Sequence, residues 1–179
     1  MLDTILNIVL LTFIIIAVVI DGRSRRIPNW LTLPVMGAAL LWHIADAGLS
    51  GFLFSFGGLA AGLGLMFIPY LMGGLGGGDV KMLAAVGAIK GAWFAFAAFL
   101  CMGIAGGLMG LAYALCRGRL KQTLSNIKTI CVLLYYRTNP HSAATSDAVG
   151  TGAFPYAGAI AVGVLLAHIM TPWLLGVQG

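Results

Sequence analysis

The stretch GGLGGGDVKMLAAVGAIKG, residues 73–91, decides how often this chain crosses a membrane. Its apolar part, Val80 to Ile89, is ten residues long. As a helix that rises about 15 Å, half of the roughly 30 Å hydrocarbon core of a bilayer. Its neighbours are longer. Apolar runs cover Ile5 to Ile20, Trp30 to Ala45, Phe52 to Met72, Ala92 to Cys116 and Ala153 to Trp173. A bilayer is the expected solvent: 60% of the 179 residues are hydrophobic, 8% are charged and the mean hydropathy is +1.01. Soluble domains carry about a quarter charged residues.

Basic residues test whether the short run crosses. If the polar loop after the first run is cytoplasmic and all six runs cross, Arg23, Arg25, Arg26, Lys81, Arg117, Arg119, Lys121, Lys128 and Arg137 fall inside and only Lys90 falls outside. Positive charge gathers on the cytoplasmic side of membrane proteins. If the fourth run did not cross, the Arg117–Arg137 group would change sides. The expectation is therefore an all-α, polytopic bundle of about six transmembrane helices, a single integral-membrane domain over residues 1–179. Both termini lie outside, and cytoplasmic segments fall at about 21–29, 73–79 and 117–150. The short fourth run then needs a recessed end lining a wet cavity, or shielding by its neighbours, because irregular backbone at membrane depth is tolerated only against protein or water. Residues 117–150 include IKTICVLLYYR, too short to span, which reads as a helix on the inner face or packed on the bundle.

The formal charge of +5 reads as topology and attraction to anionic lipid. No basic stripe with interleaved aromatics is present, so no nucleic-acid partner is expected. Cys101, Cys116 and Cys131 form no Cys-x-x-Cys pair and read as free apolar thiols rather than zinc ligands. The first residues lack a basic n-region and a cleavage site, so a cleavable signal peptide is not expected.

There are five acids, Asp3, Asp21, Asp46, Asp79 and Asp147, and no glutamate. The expected topology brings two of them to one depth. Asp21 ends the first span at the cytoplasmic face, and Asp79 starts the fourth as the chain leaves that face. Ionised carboxylates beside apolar walls are costly, and two close ones tend to share a proton. A half-protonated pair suits peptide hydrolysis: the ionised member takes a proton from water and the other donates to the scissile carbonyl. No metal or cofactor is needed. Gly76, Gly77 and Gly78 could adopt positive φ and let a peptide approach or pair with the backbone. The plainer alternative makes this a helix–helix turn with Asp79 as an N-cap, and Asp21 a helix-end acid paired with a nearby arginine. A small transporter or proton channel using both aspartates, or a non-enzymatic scaffold, are the competing functions.

Three blocks carry a family resemblance. DGRSRRIPN (Asp21 to Asn29) and GGGDVK (Gly76 to Lys81) resemble the two conserved aspartate blocks of type IV prepilin peptidases, the second being their G-x-G-D-x-K signature. FPYAG (Phe154 to Gly158) is similar to the start of the family's final helix. The resemblance implies an intramembrane aspartyl protease that removes the basic leader of prepilins and pseudopilins at the cytoplasmic face of the bacterial inner membrane, with Asp21 and Asp79 as its catalytic pair. The sequence lacks the cytoplasmic portion with paired Cys-x-x-Cys motifs of the long members, and so is similar to the short Flp/Tad-type peptidases, for which N-methylation is not implied.

Around the pair, Lys81 shares no helical face with Asp79 and is expected to meet lipid headgroups or hold nearby negative charge. Arg23, Arg25 and Arg26 read as topology and lipid anchors, or as contacts to an acidic residue of the substrate. Pro28 and Asn29 should start the second helix, with Asn29 able to bond the catalytic loop. His43 and His168 read as polar interface residues near the outer face, His141 as a loop residue, and Trp30, Trp42 and Trp173 as interface-belt residues.

Overall fold

The structure, a computed structural model, describes residues 2–24, 26–71, 75–116 and 156–174. By contact the chain divides into two units, Met1–Ala105 with Pro155–Gly179, and Gly106–Phe154. Of the second, only the end of one helix is described. The described residues contain helices and no strand. They are α1 (Leu2–Ser24), α2 (Asn29–Leu71), α3 (Gly77–Lys90), α4 (Ala92–Cys116) and α5 (Tyr156–Leu174). The expected surface helix within residues 117–150 lies outside the described residues.

α1 extends beyond its apolar run, so that Asp21 sits inside its last turn rather than in a loop. Ser24 closes this end. Its hydroxyl lies 2.9 Å from the Ile20 carbonyl and 3.1 Å from that of Arg26, with one proton to offer between them. The next helix begins at Asn29, where the Pro28 carbonyl accepts the Leu31 N–H at 3.2 Å. Proline suits this entry because its fixed φ already matches the helix.

α2 joins the expected second and third spans in one 43-residue element that turns at Ala47 and Gly48. Gly48, at φ 59° and ψ −130°, occupies a region essentially reserved for glycine. The Ser50 hydroxyl donates to the Ala47 carbonyl at 2.7 Å across this turn. The two arms run in opposite directions. Asn29 meets Lys81 and His43 meets Ile89, so the first arm follows α3. Ser55 meets Ala88, Gly62 meets Leu83 and Ala84, and Tyr70 lies beside Gly77, so the second arm runs back along it.

α3 is the buried centre of the first unit, packing against α1, α2 and α5. Every residue from Met82 to Ile89 is buried. A helix apolar all round belongs inside, and this one is shielded by protein rather than by lipid. Its length then need not match the bilayer: 14 residues rise about 21 Å. Small residues on one face of the second arm (Gly51, Ser55, Gly58 and Gly62, all buried) allow the close fit. At Gly58 and Gly87 the two backbones touch, and a Cβ on either would run into the other's carbonyl. Gly163 of α5 lies equally close to the Met102 backbone of α4.

Among the described residues three helices are long and apolar enough to cross a membrane: Thr4–Ser24, Asn29–Leu71 and Ala92–Met109. The apolar part of α5, Ala157–Met170, is shorter. These helices and the six expected runs differ in length and continuity. One expected span is the short α3, and two others are arms of a single bent helix. Outward-facing Ile8, Ile15, Leu33, Leu41, Leu53 and Ile104 give the bundle the apolar exterior of a membrane protein.

Candidate active site

Only four polar or charged side chains are buried among the described residues: Asp21, Thr32, Ser55 and Asp79. Asp21 is 9% exposed and Asp79 7%. They come from different helices. α1 delivers Asp21 in its final turn, and α3 delivers Asp79 in its first. Asp21 is near enough for its charge to act on Asp79. Among the described residues Asp21 forms no ion pair with Arg23 or Arg26, both of which are exposed. The helix-end pairing with either of these arginines is therefore not what the structure contains; Arg25 lies outside the described residues.

Local geometry holds Asp79 in a fixed orientation. Gly76, not Asp79, is the N-cap of α3, and Asp79 is the third residue of the helix. Asp79 Oδ2 accepts the Gly76 N–H at 3.1 Å, while the Asp79 N–H donates to the Gly76 carbonyl, also at 3.1 Å. This is the carboxylate half of a capping box. One carboxylate oxygen is thereby occupied and the other is left to the site.

The glycines act differently from the expectation. The left-handed glycines among the described residues are Gly48 and Gly91; Gly76 is extended at φ −81° and ψ 152°. The Gly76 N–H is taken by Asp79, so at this position a peptide finds no free N–H to pair with. The space beside Gly78 belongs to the chain itself. A Cβ there would lie 3.0 Å from the Ile27 Cβ and 3.1 Å from the Ile27 backbone nitrogen. Gly78 thus lets the second aspartate block press against the first. Gly76 and Gly77 stay exposed at the rim.

A second tie joins the same two blocks. Lys81 Nζ donates to Asn29 Oδ1 at 2.7 Å across 52 positions of sequence. Asn29 therefore bonds the aspartate block, one of its two expected roles, and the Lys81 ammonium faces protein rather than headgroups alone. Arg23 and Arg26, close to Asp21 in sequence, are exposed, and Trp30 is 68% exposed. Gly73 and Gly74 lie outside the described residues, as do Phe154 and Pro155 of the third block.

Sequence reasoning missed Ile27, Ser24 and Ser55. Ile27 stands in the DGRSRRIPN block, but its contact with Gly78 left no signal in the sequence. Ser55 was legible as part of the small-residue spacing with Gly51, Gly58 and Gly62. His43 is not a simple interface residue, because its Nε2 lies 3.1 Å from the Ile89 carbonyl. Among the described residues no three His, Cys, Asp or Glu side chains gather as a metal site would require.

Residues 8–114 match the type IV leader peptidase family. The chain is 33% identical over 120 residues to a prepilin leader peptidase/N-methyltransferase of Bacillus subtilis, covering 63% of this chain and 46% of that protein. It is 34% identical over 91 residues to a prepilin leader peptidase/N-methyltransferase of Klebsiella pneumoniae, covering 48% of this chain and 40% of that protein. The matched region thus spans less than half the length of either relative. No solved structure matches the chain significantly.

Proposed function

The chain belongs to the type IV leader peptidase family, and from that premise we propose that it is an intramembrane aspartyl endopeptidase that cleaves the basic leader from type IV, Flp-like prepilins and pseudopilins. The observation that supports this reading is the burial of two carboxylates, Asp21 in the last turn of α1 and Asp79 in the first turn of α3, two helices that pack against each other. In the proposed reaction the pair holds one proton. The ionised carboxylate takes a proton from a water molecule, whose oxygen attacks the scissile carbonyl carbon. The protonated carboxylate gives its proton to the carbonyl oxygen. Collapse of the resulting diol breaks the C–N bond, the amide nitrogen leaves with a proton from the pair, and the shared proton is restored. The Gly76 N–H keeps Asp79 Oδ2 in place, so that Oδ1 meets the water or the substrate.

The same reading places the enzyme in the bacterial inner membrane with the pair toward the cytoplasm and both termini outside, α2 crossing twice and α3 crossing inside the bundle. Nine of ten basic residues then lie on the cytoplasmic side.

The test is incubation of the purified protein with a candidate Flp-type prepilin, reading the mature N-terminus by mass spectrometry. Asp21→Asn and Asp79→Asn should each abolish cleavage while the protein stays membrane-inserted. Undiminished processing by either variant would remove the dyad.

A further inference from the structure

The end of α3 remote from Asp79 is also held by side chains. A helix leaves its last four carbonyls without intrahelical partners. In α3 the residues at that end, Gly87, Ala88 and Ile89, are buried, so their carbonyls must find donors within the protein. Gly91 N–H supplies the Gly87 carbonyl at 2.7 Å. The next two are met by side chains, one from each arm of α2. Ser55 donates its hydroxyl to the Ala88 carbonyl at 2.8 Å, and the His43 imidazole, carrying hydrogen on Nε2, donates to the Ile89 carbonyl at 3.1 Å. Ser55 is fully buried, and His43 is braced by the Phe54 ring, with centroids 5.1 Å apart.

These two bonds add to the Gly58–Gly87 contact in gripping α3 along its axis, because a hydrogen bond demands one register. A slide of one residue is about 1.5 Å. It would part both bonds, carry Gly87 off Gly58, and move Asp79 at the other end by the same distance. The level of Asp79 against Asp21 is thus set at both ends of α3: by Gly78 on Ile27 and Lys81 on Asn29 near the carboxylates, and by the two α2 side chains at the far end.

We propose that His43 and Ser55 are positioning residues for the dyad, fixing the axial register of α3 by capping its buried C-terminal carbonyls and so holding Asp79 level with Asp21. The catalytic consequence rests on the peptidase reading; the register itself does not.

The experiment therefore reads both. Ser55→Ala and His43→Phe are compared with the wild type, and with Ser50→Ala as a control that also removes a serine–carbonyl bond but does not touch α3. The first readout is kcat and KM per folded enzyme on a Flp-type prepilin. The second needs no activity: cysteines at positions 27 and 78, in a background with Cys101, Cys116 and Cys131 replaced by serine, report register by disulfide formation. A Cβ at Gly78 lies 3.0 Å from that of Ile27, inside the roughly 3.5–4.5 Å of bridged pairs, so the two cysteines part the blocks slightly and every cross-linking comparison is made within this double-cysteine background. The expected result is a fall in kcat of about tenfold or more with KM unchanged, matched by slower cross-linking, in both variants but not in Ser50→Ala. A tenfold fall corresponds to about 1.4 kcal/mol of barrier. Wild-type kcat and cross-linking in Ser55→Ala and His43→Phe would overturn the proposal, as would an equal loss in Ser50→Ala. A wild type that never cleaves prepilin while cross-linking still responds to Ser55→Ala and His43→Phe would leave the register assignment standing and remove the peptidase reading.

Discussion

Replacing Gly58 with alanine should force α2 and α3 apart, and replacing its neighbour Gly57 should not. A Cβ at Gly58 would run into the Gly87 carbonyl and come within 2.8 Å of the Gly91 Cα, whereas a Cβ at Gly57 meets nothing within 4 Å. Ordinary van der Waals contact begins at 3.4 Å. The obstructing atoms are backbone, so no side-chain rotation relieves the clash and the helices themselves must move. Both substitutions gain the same helix propensity, about 0.5–1 kcal/mol over glycine, so the difference between them isolates the close approach. Overpacking of a tight interface costs about 1–3 kcal/mol. For a chain of this size, each kcal/mol shifts the melting midpoint by about 2–4 °C. Gly58→Ala should therefore melt at least about 2 °C below Gly57→Ala, read by thermal unfolding of the two purified proteins in the same detergent. Gly57→Ala should match or slightly exceed the wild type. Equal midpoints for the two variants would refute the backbone contact as the packing constraint on α3.

Three further outcomes follow from the site. Gly78→Val should displace Ile27 and remove most leader cleavage in the prepilin assay. Gly77→Ala, whose Cβ would sit 3.8 Å from the Tyr70 ring, should be tolerated; an active Gly78→Val would show that the two aspartate blocks need not touch. Lys81→Met and Asn29→Ala should each cost about 0.5–1.5 kcal/mol of stability, with the double variant no worse than either single one. Additive losses in that denaturation cycle would mean the hydrogen bond contributes nothing. Arg23→Gln, Arg25→Gln and Arg26→Gln should raise KM for a prepilin with an acidic residue after the cleavage site, more at low than at high salt. Unchanged KM in all three would limit these arginines to topology and lipid contact.

The aspartate pair was the most legible part of the site. Its two members stand beside polar breaks in long apolar runs, and the expected topology carries Asp21 and Asp79 to one face. Helix α4 was equally plain, since its run from Ala92 to Cys116 ends where the charges begin. The turn in α2 was less so. Asp46 and the small residues around it suggest a loop, but one glycine at positive φ lets the two arms join with almost no connection. The contact made by Gly78 was not legible because glycine reports only that space is required, not what fills it. At Gly78 the occupant is Ile27, from a segment about fifty residues away.

The sequence by itself determined the solvent, the helical class, the apolar segments and the two carboxylates, because hydropathy, charge placement and spacing are local properties written along the chain. Tertiary structure alone decided that α3 is the buried centre, that Lys81 bonds Asn29, and that His43 and Ser55 cap the far end of the helix bearing Asp79. Those facts depend on which backbone groups are left without partners once the helices pack, and a chain read one residue at a time does not say which carbonyl will end up away from water.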